Sequence, residues 1–299
     1  MIILAVESSC DETAVALVRD GRTVLADCIA SSVEMHRIYG GVVPEIASRK
    51  HIEVIAQLAD QALEQAGLSR GDIDAVAVTY APGLIGAVLV GVSFAKSVAY
   101  ALGVPLIPVH HVRGHIAANY LAHPDLEPPF VCLCVSGGTS LLVDVKGYTE
   151  MEILGATRDD AAGECFDKIA RVMGLGYHGG APLHRAAQGG NDKAFSLPRV
   201  HIQDAPLDMS FSGLKTAMLN LIHNAQQKGE ELPVADLAAS FSAAVSEELV
   251  PRTMAAAQAK GYGKVAVVGG VAANSRIRRD LEQACQAAGC TLYLPPLKL

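Results

Sequence analysis

The chain opens with MIILAVESSCDETAVALVRDGRTVLADCIA, residues 1–30, and this stretch decides the fold. Residues 2–6 form a short apolar run, and residues 14–18 and 23–29 resume it on either side of the turn Asp20-Gly21. Apolar runs joined by a polar loop and by an Asp-Gly turn are typical of antiparallel strands. We therefore expect three strands at the start of the chain.

A similar order recurs in the second half. Apolar periodicity and turn residues predict these later elements: helices at 43–66 (ended by Gly67), 84–102, 161–173 and 237–259, and strands at 74–79, 105–109, 130–135, 141–145 and 264–268. Each half opens with a strand, a polar loop of small residues and a second strand, and later places a strand behind a long helix. This pattern predicts an α/β protein of two duplicated mixed-sheet lobes, residues 1–108 and 109–299, with a cleft between them.

Three loops have the chemistry of an anion cradle, and each follows an apolar strand. They are ESSCDET at residues 7–13, SGGTS at 136–140 and GGVAAN at 269–274. Glycine lets backbone N–H groups approach a phosphate, and Ser and Thr hydroxyls add donors. Since neither a GxxxxGK[ST] loop nor an initial GxGxxG is present, the loops favour a nucleotide site of another kind.

His111-Val112-Arg113-Gly114-His115 places two imidazoles four residues apart. On a helix both lie on one face, about 5–6 Å apart at Cβ, which suits a shared metal ion. Zinc proteases with this spacing have a general-base glutamate directly after the first histidine, where this chain has Val112. Two surface histidines on a helix are the alternative interpretation.

The composition constrains the partners. With 24 basic and 31 acidic residues the net charge is −7, so binding of nucleic acid would need a local basic patch, for which Lys215, Arg276, Arg278 and Arg279 are candidates. No pair of the seven cysteines has CxxC spacing, which favours buried reduced thiols in a cytoplasmic protein. The apolar stretch 84–104 contains Lys96 and several glycines, and we expect a buried helix rather than a membrane span.

Eight ordered motifs carry a resemblance to a known family. They are ESSCDETAVAL, GGVVPEIASRKH, APGLIGAVLVGVSFAK, HVRGH, VSGG, DDAAGECFDK, MSFSGLKTA and GGVAANSRIR. With these motifs the chain resembles the bacterial TsaD (Gcp or YgjD) family along its whole length. The resemblance implies an actin/sugar-kinase/Hsp70-like (ASKHA) fold. It also implies transfer of the threonylcarbamoyl group from threonylcarbamoyl-adenylate to N6 of adenosine 37 in tRNAs reading ANN codons.

The resemblance also implies site residues. His111 and His115 match the ligands of one divalent metal ion, Fe²⁺ or Zn²⁺, and Asp11 and Glu12 match an acidic pair beside the reactive centre. The positions that match the adenylate site are Ser136, Gly137, Gly138, Thr139, Ser140, Asp167, Gly180, His184 and Asn274. The implied partners are tRNA, a TsaB-like paralogue, a TsaE-like ATPase and a TsaC-like synthase, with no membrane.

Three departures from the family pattern bear on these residues. Thr139 stands where the family usually has His, and His184 stands where it usually has Asp. The sequence stops at PPLKL, before the Cys-Thr-Asp-Asn segment in which the family carries a third metal ligand. From this we expect the 299-residue chain to bind metal weakly.

Three other functions remain open from the residues alone. A small-molecule kinase of the same fold would carry a catalytic aspartate aimed at a substrate hydroxyl, and a metal assay separates it from a transferase. A metalloprotease would need the glutamate that Val112 replaces. A non-catalytic nucleotide-binding scaffold would show no transfer with every partner present.

Overall fold

Two five-stranded sheets organise the computed structural model, which describes residues 1–176 and 179–295. Contacts divide the chain into a first unit, Met1–Ala117, and a second unit, Ala118–Leu299. The boundary that the sequence suggested, at residue 108, falls inside the last strand of the first sheet, Leu106–His110.

The elements follow one another in an α/β order. In the first unit they are β1 (Ile2–Glu7), β2 (Glu12–Arg19), β3 (Thr23–Ser31), α1 (Val33–Arg37), α2 (Pro44–Ala66), β4 (Ala75–Ala81), α3 (Ile85–Leu102) and β5 (Leu106–His110), and α4 (His111–Ala122) crosses the unit boundary. In the second unit they are β6 (Phe130–Val135), β7 (Ser140–Val145), β8 (Met151–Ala156), α5 (Ala162–Val172), α6 (Gly180–Ala186), α7 (Ser212–Lys228), α8 (Val234–Lys260), β9 (Lys264–Val268), α9 (Ser275–Ala288) and β10 (Thr291–Tyr293).

The two sheets have the same topology. The first has the order β3-β2-β1-β4-β5, and the second has the order β8-β7-β6-β9-β10. In each sheet the first strand in the chain lies antiparallel to the second and parallel to the fourth. The predicted duplicated α/β architecture with mixed sheets is confirmed.

The opening hairpin forms as its sequence predicts. Asp20 and Gly21 both have positive φ, 51° and 69°, which is the conformation of a tight turn between antiparallel strands. The turn lets β2 pair with β3 while β2 also pairs with β1. All three predicted strands are present.

Helix α2 covers one face of the first sheet. It begins at Pro44, whose missing N–H costs nothing in a first turn, and ends at Gly67, which has φ 65°. Its buried face includes Ile55, Leu58 and Ala62, which join the core of the first unit with strand residues such as Val15 and Val76.

Helix α3 corrects one prediction. Only Ala87, Gly91, Ala95 and Ala99 are buried, in a stripe that repeats every four residues, so the helix is not buried as a whole. Ile85, Leu89 and Tyr100 are exposed by 87%, 62% and 90%. Within residues 1–176 and 179–295, Ile85–Leu102 is the helix that is long and apolar enough to cross a membrane by length and composition.

The core of the second unit surrounds β6 and α8. All six residues of β6 are buried, and Phe241 of α8 packs edge-on against Phe166 of α5 with ring centroids 5.2 Å apart. All seven cysteines are free thiols, and five are buried. Cys132 and Cys134 lie on one face of β6 with their sulfurs 3.8 Å apart, as the strand alternation predicted.

Candidate functional site

The first unit brings the two candidate metal ligands together. His111 and His115 occupy the first turns of α4, and their Nε2 atoms are 3.0 Å apart. The ring planes are nearly perpendicular, with centroids 4.4 Å apart. The helical spacing therefore places both imidazoles on one face of α4 with their Nε2 atoms within hydrogen-bonding distance of each other.

Glu7, the last residue of β1, orients His111. Its Oε2 lies 3.1 Å from His111 Nδ1, and the Ser9 hydroxyl lies 3.2 Å from the same nitrogen. Because an ionised carboxylate only accepts hydrogen bonds, His111 carries its proton on Nδ1 and presents an unprotonated Nε2 towards His115. A histidine whose other nitrogen is held by a carboxylate is the usual arrangement around protein-bound metals.

The pKa values of Glu7 and His115 suit this arrangement. Burial raises the pKa of Glu7, but hydrogen bonds from His111, Ser9 and Thr79 outweigh it and lower the pKa from 4.5 to about 2. Burial, with a smaller contribution from the charge of His111, lowers the pKa of His115 below 6.5. Glu7 is therefore ionised and His115 neutral near pH 7, which are the states that metal coordination needs.

The donor set fits a divalent transition metal in part. Imidazole nitrogens suit zinc and iron, and the convergent Nε2 atoms of His111 and His115 supply two of them. Over residues 1–176 and 179–295 no group of three or more His, Cys, Asp or Glu side chains is placed to hold a metal ion.

The predicted acidic pair divides between a loop and a strand. Asp11 lies in the loop between β1 and β2 and is half-buried, and its carbonyl accepts hydrogen bonds from Ser32. Glu12 is the first residue of β2, is exposed, and lies opposite Ser31 of β3. The two carboxylates therefore occupy different surroundings although they are adjacent in sequence.

The second unit contains a cavity of about 460 Å³. It collects residues from four separate segments, and it is lined by Gly137, Gly163, Phe166, Asp167, Gly180, Ala181, His184, Gly270, Val271, Ala273 and Asn274. Five of the predicted adenylate-site residues are among them. The volume is that of an ordinary small-molecule site.

Four glycines of this cavity region face open space. A Cβ added at Gly137, Gly138, Gly180 or Gly270 would meet no atom within 4 Å, and none of the four has positive φ. Neither packing nor backbone conformation therefore requires glycine there. Open backbone N–H groups of this kind are what a phosphate or a sugar needs for close approach.

The remaining predicted residues of the SGGTS loop support its shape. The Ser136 carbonyl accepts from Gly163 N–H at 3.2 Å, and the Ser140 hydroxyl accepts from Ala162 N–H at 2.9 Å, so both hold the start of α5. The Thr139 carbonyl accepts from Ser136 N–H at 2.8 Å, which closes the turn. Gly163 is required by packing, because a Cβ there would lie 2.7 Å from Gly137 Cα.

The polar side chains of the cavity also serve the fold. Asp167 accepts from Gly179 N–H at 2.7 Å, and His184 Nδ1 lies 3.3 Å from the Ser275 hydroxyl. Asn274 caps α9, since its Oδ1 accepts from Arg276 N–H at 3.0 Å. The sequence interpretation missed these structural tasks, as it missed Glu7, although Glu7 stands at the carboxyl end of a strand, where polar site residues are common.

Most of the candidate cations for nucleic-acid binding form ion pairs within the chain. Lys215 Nζ lies 2.5 Å from Asp160, and Arg276 is paired with both Asp192 and Asp280. Arg279 is paired with Asp280 at 3.2 Å. Three of the four candidate cations therefore have an acidic partner: Asp160 reaches Lys215 across 55 positions, whereas Asp280 lies four residues from Arg276 and next to Arg279 on α9.

Two duplicated mixed-sheet units and a glycine-lined cavity beside the loops after β6 and β9 define a protein of the ASKHA class. Two solved structures share this fold. HypF from T. kodakarensis aligns with a TM-score of 0.69 at 16% identity, covering 100% of this chain and 46% of HypF. A ROK hexokinase from Thermus thermophilus aligns with a TM-score of 0.52 at 14% identity, covering 99% of this chain and 93% of the hexokinase.

The family is narrower than the fold. Residues 23–299 match the model of TsaD, described as tRNA N6-adenosine threonylcarbamoyltransferase. A protein of that name from Moorella thermoacetica is 55% identical over 297 residues, which cover 99% of this chain and 87% of that protein. The chain belongs to the TsaD family.

Proposed function

We propose that this chain transfers the threonylcarbamoyl group of threonylcarbamoyl-adenylate to N6 of adenosine 37 in tRNAs that read ANN codons. Membership of the TsaD family over residues 23–299 carries the proposal. The glycine-lined cavity of the second unit supports it, since an adenylate needs a site of this kind. The paired histidines of the first unit also support it, since a metal-assisted acyl transfer needs metal ligands.

The adenylate is assigned to the cavity of the second unit. The backbone at Gly137 and Gly138 is open to its phosphate, and Asp167 and His184 line the part of the cavity beside α5 and α6 that suits the ribose. Asn274 offers an amide to the base while its oxygen caps α9. These contacts bind and orient the donor, which lowers the entropic part of the barrier.

A divalent ion, Fe²⁺ or Zn²⁺, is assigned to His111 and His115. When bound, it would supply Lewis-acid chemistry for the acyl transfer. Glu7 keeps the proton of His111 on Nδ1, so the 3.0 Å contact between the two Nε2 atoms places the proton of neutral His115 on its Nε2. A cation at this site would take the place of that proton, and His115 would then carry its proton on Nδ1.

We assign to Asp11 the role of the general base that accepts the proton of the attacking amine. The mixed anhydride is already activated, so the chain mainly has to orient N6 and accept its proton as the new C–N bond forms and AMP leaves. Glu12 is exposed at the start of β2, where it contributes negative charge near the same loop rather than a buried contact.

The acceptor and the assisting proteins complete the proposal. The chain is acidic, and three of its candidate cations are paired with its own carboxylates. We therefore assign part of the tRNA-binding surface to protein partners of the TsaB, TsaE and TsaC types. Seven free thiols support our assignment of the reaction to the reducing cytoplasm.

The experiment is direct. The chain is incubated with its partners, a divalent metal, threonylcarbamoyl-adenylate and an unmodified tRNA that reads an ANN codon, and the tRNA nucleosides are measured by mass spectrometry. The proposal expects threonylcarbamoyl-adenosine at position 37 and none in a tRNA whose position 37 is not adenosine. Unmodified adenosine after a reaction in which every component is shown to be active contradicts the proposal.

A further inference from the structure

Four buried polar side chains surround the loop that carries Asp11. Thr13, Ser32, His36 and His51 are each exposed by 1% or less. A buried polar group is costly unless it is hydrogen-bonded, so such a cluster persists only when its bonds are made. Every one of these side chains takes part in a hydrogen bond that reaches residues 10–13 directly or through one neighbour.

His51 of α2 holds the loop on both sides of Asp11. Its Nε2 lies 3.0 Å from the Cys10 carbonyl, which can only accept, so the ring proton is on Nε2. Its Nδ1 is therefore bare and accepts from the Thr13 hydroxyl at 2.7 Å. One rigid ring thus fixes the residue before Asp11 and the second residue after it.

A second chain of hydrogen bonds ends on Asp11 itself. The Val43 N–H donates to His36 Nδ1 at 3.2 Å, so His36 carries its proton on Nε2 and donates to the Ser32 hydroxyl at 3.0 Å. Ser32 then donates its hydroxyl to the Asp11 carbonyl at 2.6 Å, and its N–H to the same oxygen at 2.9 Å. The direction of every bond follows from the first donor, a backbone N–H.

Both chains start from the same helix. Val43 is the residue before the first turn of α2, and His51 lies in its second turn. Helix α2 packs on β2 and α3, so it is a rigid frame, whereas the Asp11 loop has no regular backbone pairing of its own. The loop is therefore held from α2 and its N-cap residue through His51 of α2 and His36 of α1.

We propose that His51, His36 and Ser32, with the hydroxyl of Thr13, are positioning residues that hold the Asp11 carboxylate in its reactive orientation. This inference rests on the proposed role of Asp11 in the transfer. Misplacing a catalytic group by about 1 Å can cost on the order of 100-fold in rate, while the binding of substrates elsewhere is unchanged. Loss of the clamp therefore lowers kcat and leaves KM alone.

The test compares two substitutions at Thr13. Thr13→Val removes the hydroxyl and keeps the volume, and Thr13→Ser keeps the hydroxyl. The matched control is Thr253→Val: Thr253 is fully buried, and its hydroxyl donates to the Leu249 carbonyl of its own helix at 2.8 Å. We expect Thr13→Val to lower kcat about tenfold with KM unchanged, and Thr13→Ser and Thr253→Val to stay within about twofold of wild type.

Asp11→Ala, run in the same assay, separates this inference from the proposed function. If Asp11→Ala keeps the wild-type rate, the role of Asp11 is wrong. If Asp11→Ala is inactive while Thr13→Val behaves like Thr253→Val, the positioning role is wrong. Should Thr13→Val fail to fold, Ser32→Ala replaces it, and the same tenfold fall in kcat with unchanged KM is required.

Discussion

The loop between β1 and β2 and the loop between β6 and β7 occupy the same place in the two duplicated sheets. Each follows a central strand that is antiparallel to the next strand and parallel to the fourth strand of its sheet. The first loop, Ser8 to Asp11, follows Glu7 and depends on buried side chains of α1 and α2. The second contains Ser136 to Thr139, has no ionisable side chain, and leaves its glycines open.

This difference shows that the duplicated sheets share the backbone path of the strands but not the residues of the loops. The strand ladder fixes the backbone path to and from both loops, because its register is set by buried apolar residues such as Val6 and Leu133. The loop residues themselves are not part of the ladder. The first loop therefore supplies a fixed carboxylate, that of Asp11, and the second loop leaves space for a ligand.

The largest expected effect is at Asp11. Asp11→Ala should lower the single-turnover rate of transfer by about 10²–10⁴-fold, the usual contribution of a general base, with a melting temperature close to wild type. Mass spectrometry of the tRNA nucleosides measures the rate, and thermal unfolding by circular dichroism measures the stability. A folded variant with near-normal turnover would show that the transfer does not need the Asp11 carboxylate of the first loop.

Glu7→Gln should weaken binding of Zn²⁺ about 10–100-fold, since the amide no longer fixes the proton of His111 on Nδ1. Competition against a chromophoric chelator gives the affinity. Glu12→Gln is the matched control, because it makes the same change at an exposed position on β2. Equal affinities of the two variants would show that Glu7 does not orient His111.

Gly137→Val should weaken AMP binding by about tenfold or more, or ~1.4 kcal/mol, because its side chain enters the cavity. Stability should hardly change, since the added Cβ meets no atom within 4 Å. Gly163→Ala is the contrast: its Cβ would lie 2.7 Å from Gly137 Cα, and we expect a loss of about 1–3 kcal/mol in unfolding free energy. Isothermal titration and urea unfolding measure the two quantities, and unchanged AMP affinity in Gly137→Val would show that the second loop does not face the ligand.

The smallest effect concerns pH. Burial lowers the pKa of His51 below 6.5, against smaller opposing effects of the Cys10 carbonyl, Glu7 and Asp11, so the unfolded chain takes up this proton at a higher pH than the folded one. The contribution of this pKa shift to the free energy of unfolding is complete above pH 6.5 and decreases as the pH falls below it. Urea unfolding at pH 7.5 and pH 5.5 should show this loss in wild type and a smaller one in His51→Gln. The same loss in both would exclude His51 as its source.

Much of the fold could be predicted because its signals are local. Strands 130–135 and 264–268 have the bounds that apolar runs predict, and Gly67 ends α2 with positive φ. The prediction for α3 failed because hydropathy alone cannot tell which face of an apolar helix packs: only the stripe from Ala87 to Ala99 is buried. The pairing of Lys215 with Asp160 could not be predicted either, because the two residues lie 55 positions apart, whereas Arg276 and Asp280 have the i,i+4 spacing of neighbours on one helix.

The sequence by itself determined the family, the duplicated order of strands and helices, and the spacing of His111 and His115, because each depends on residues close together in the chain or on whole motifs. Only the tertiary structure decided which side chains form hydrogen bonds with the site residues. Glu7 reaches His111 across 104 positions, and His51 reaches Cys10 across 41. Hydrogen bonds of such long range depend on how strands and helices pack, and no local pattern of residue types encodes that packing.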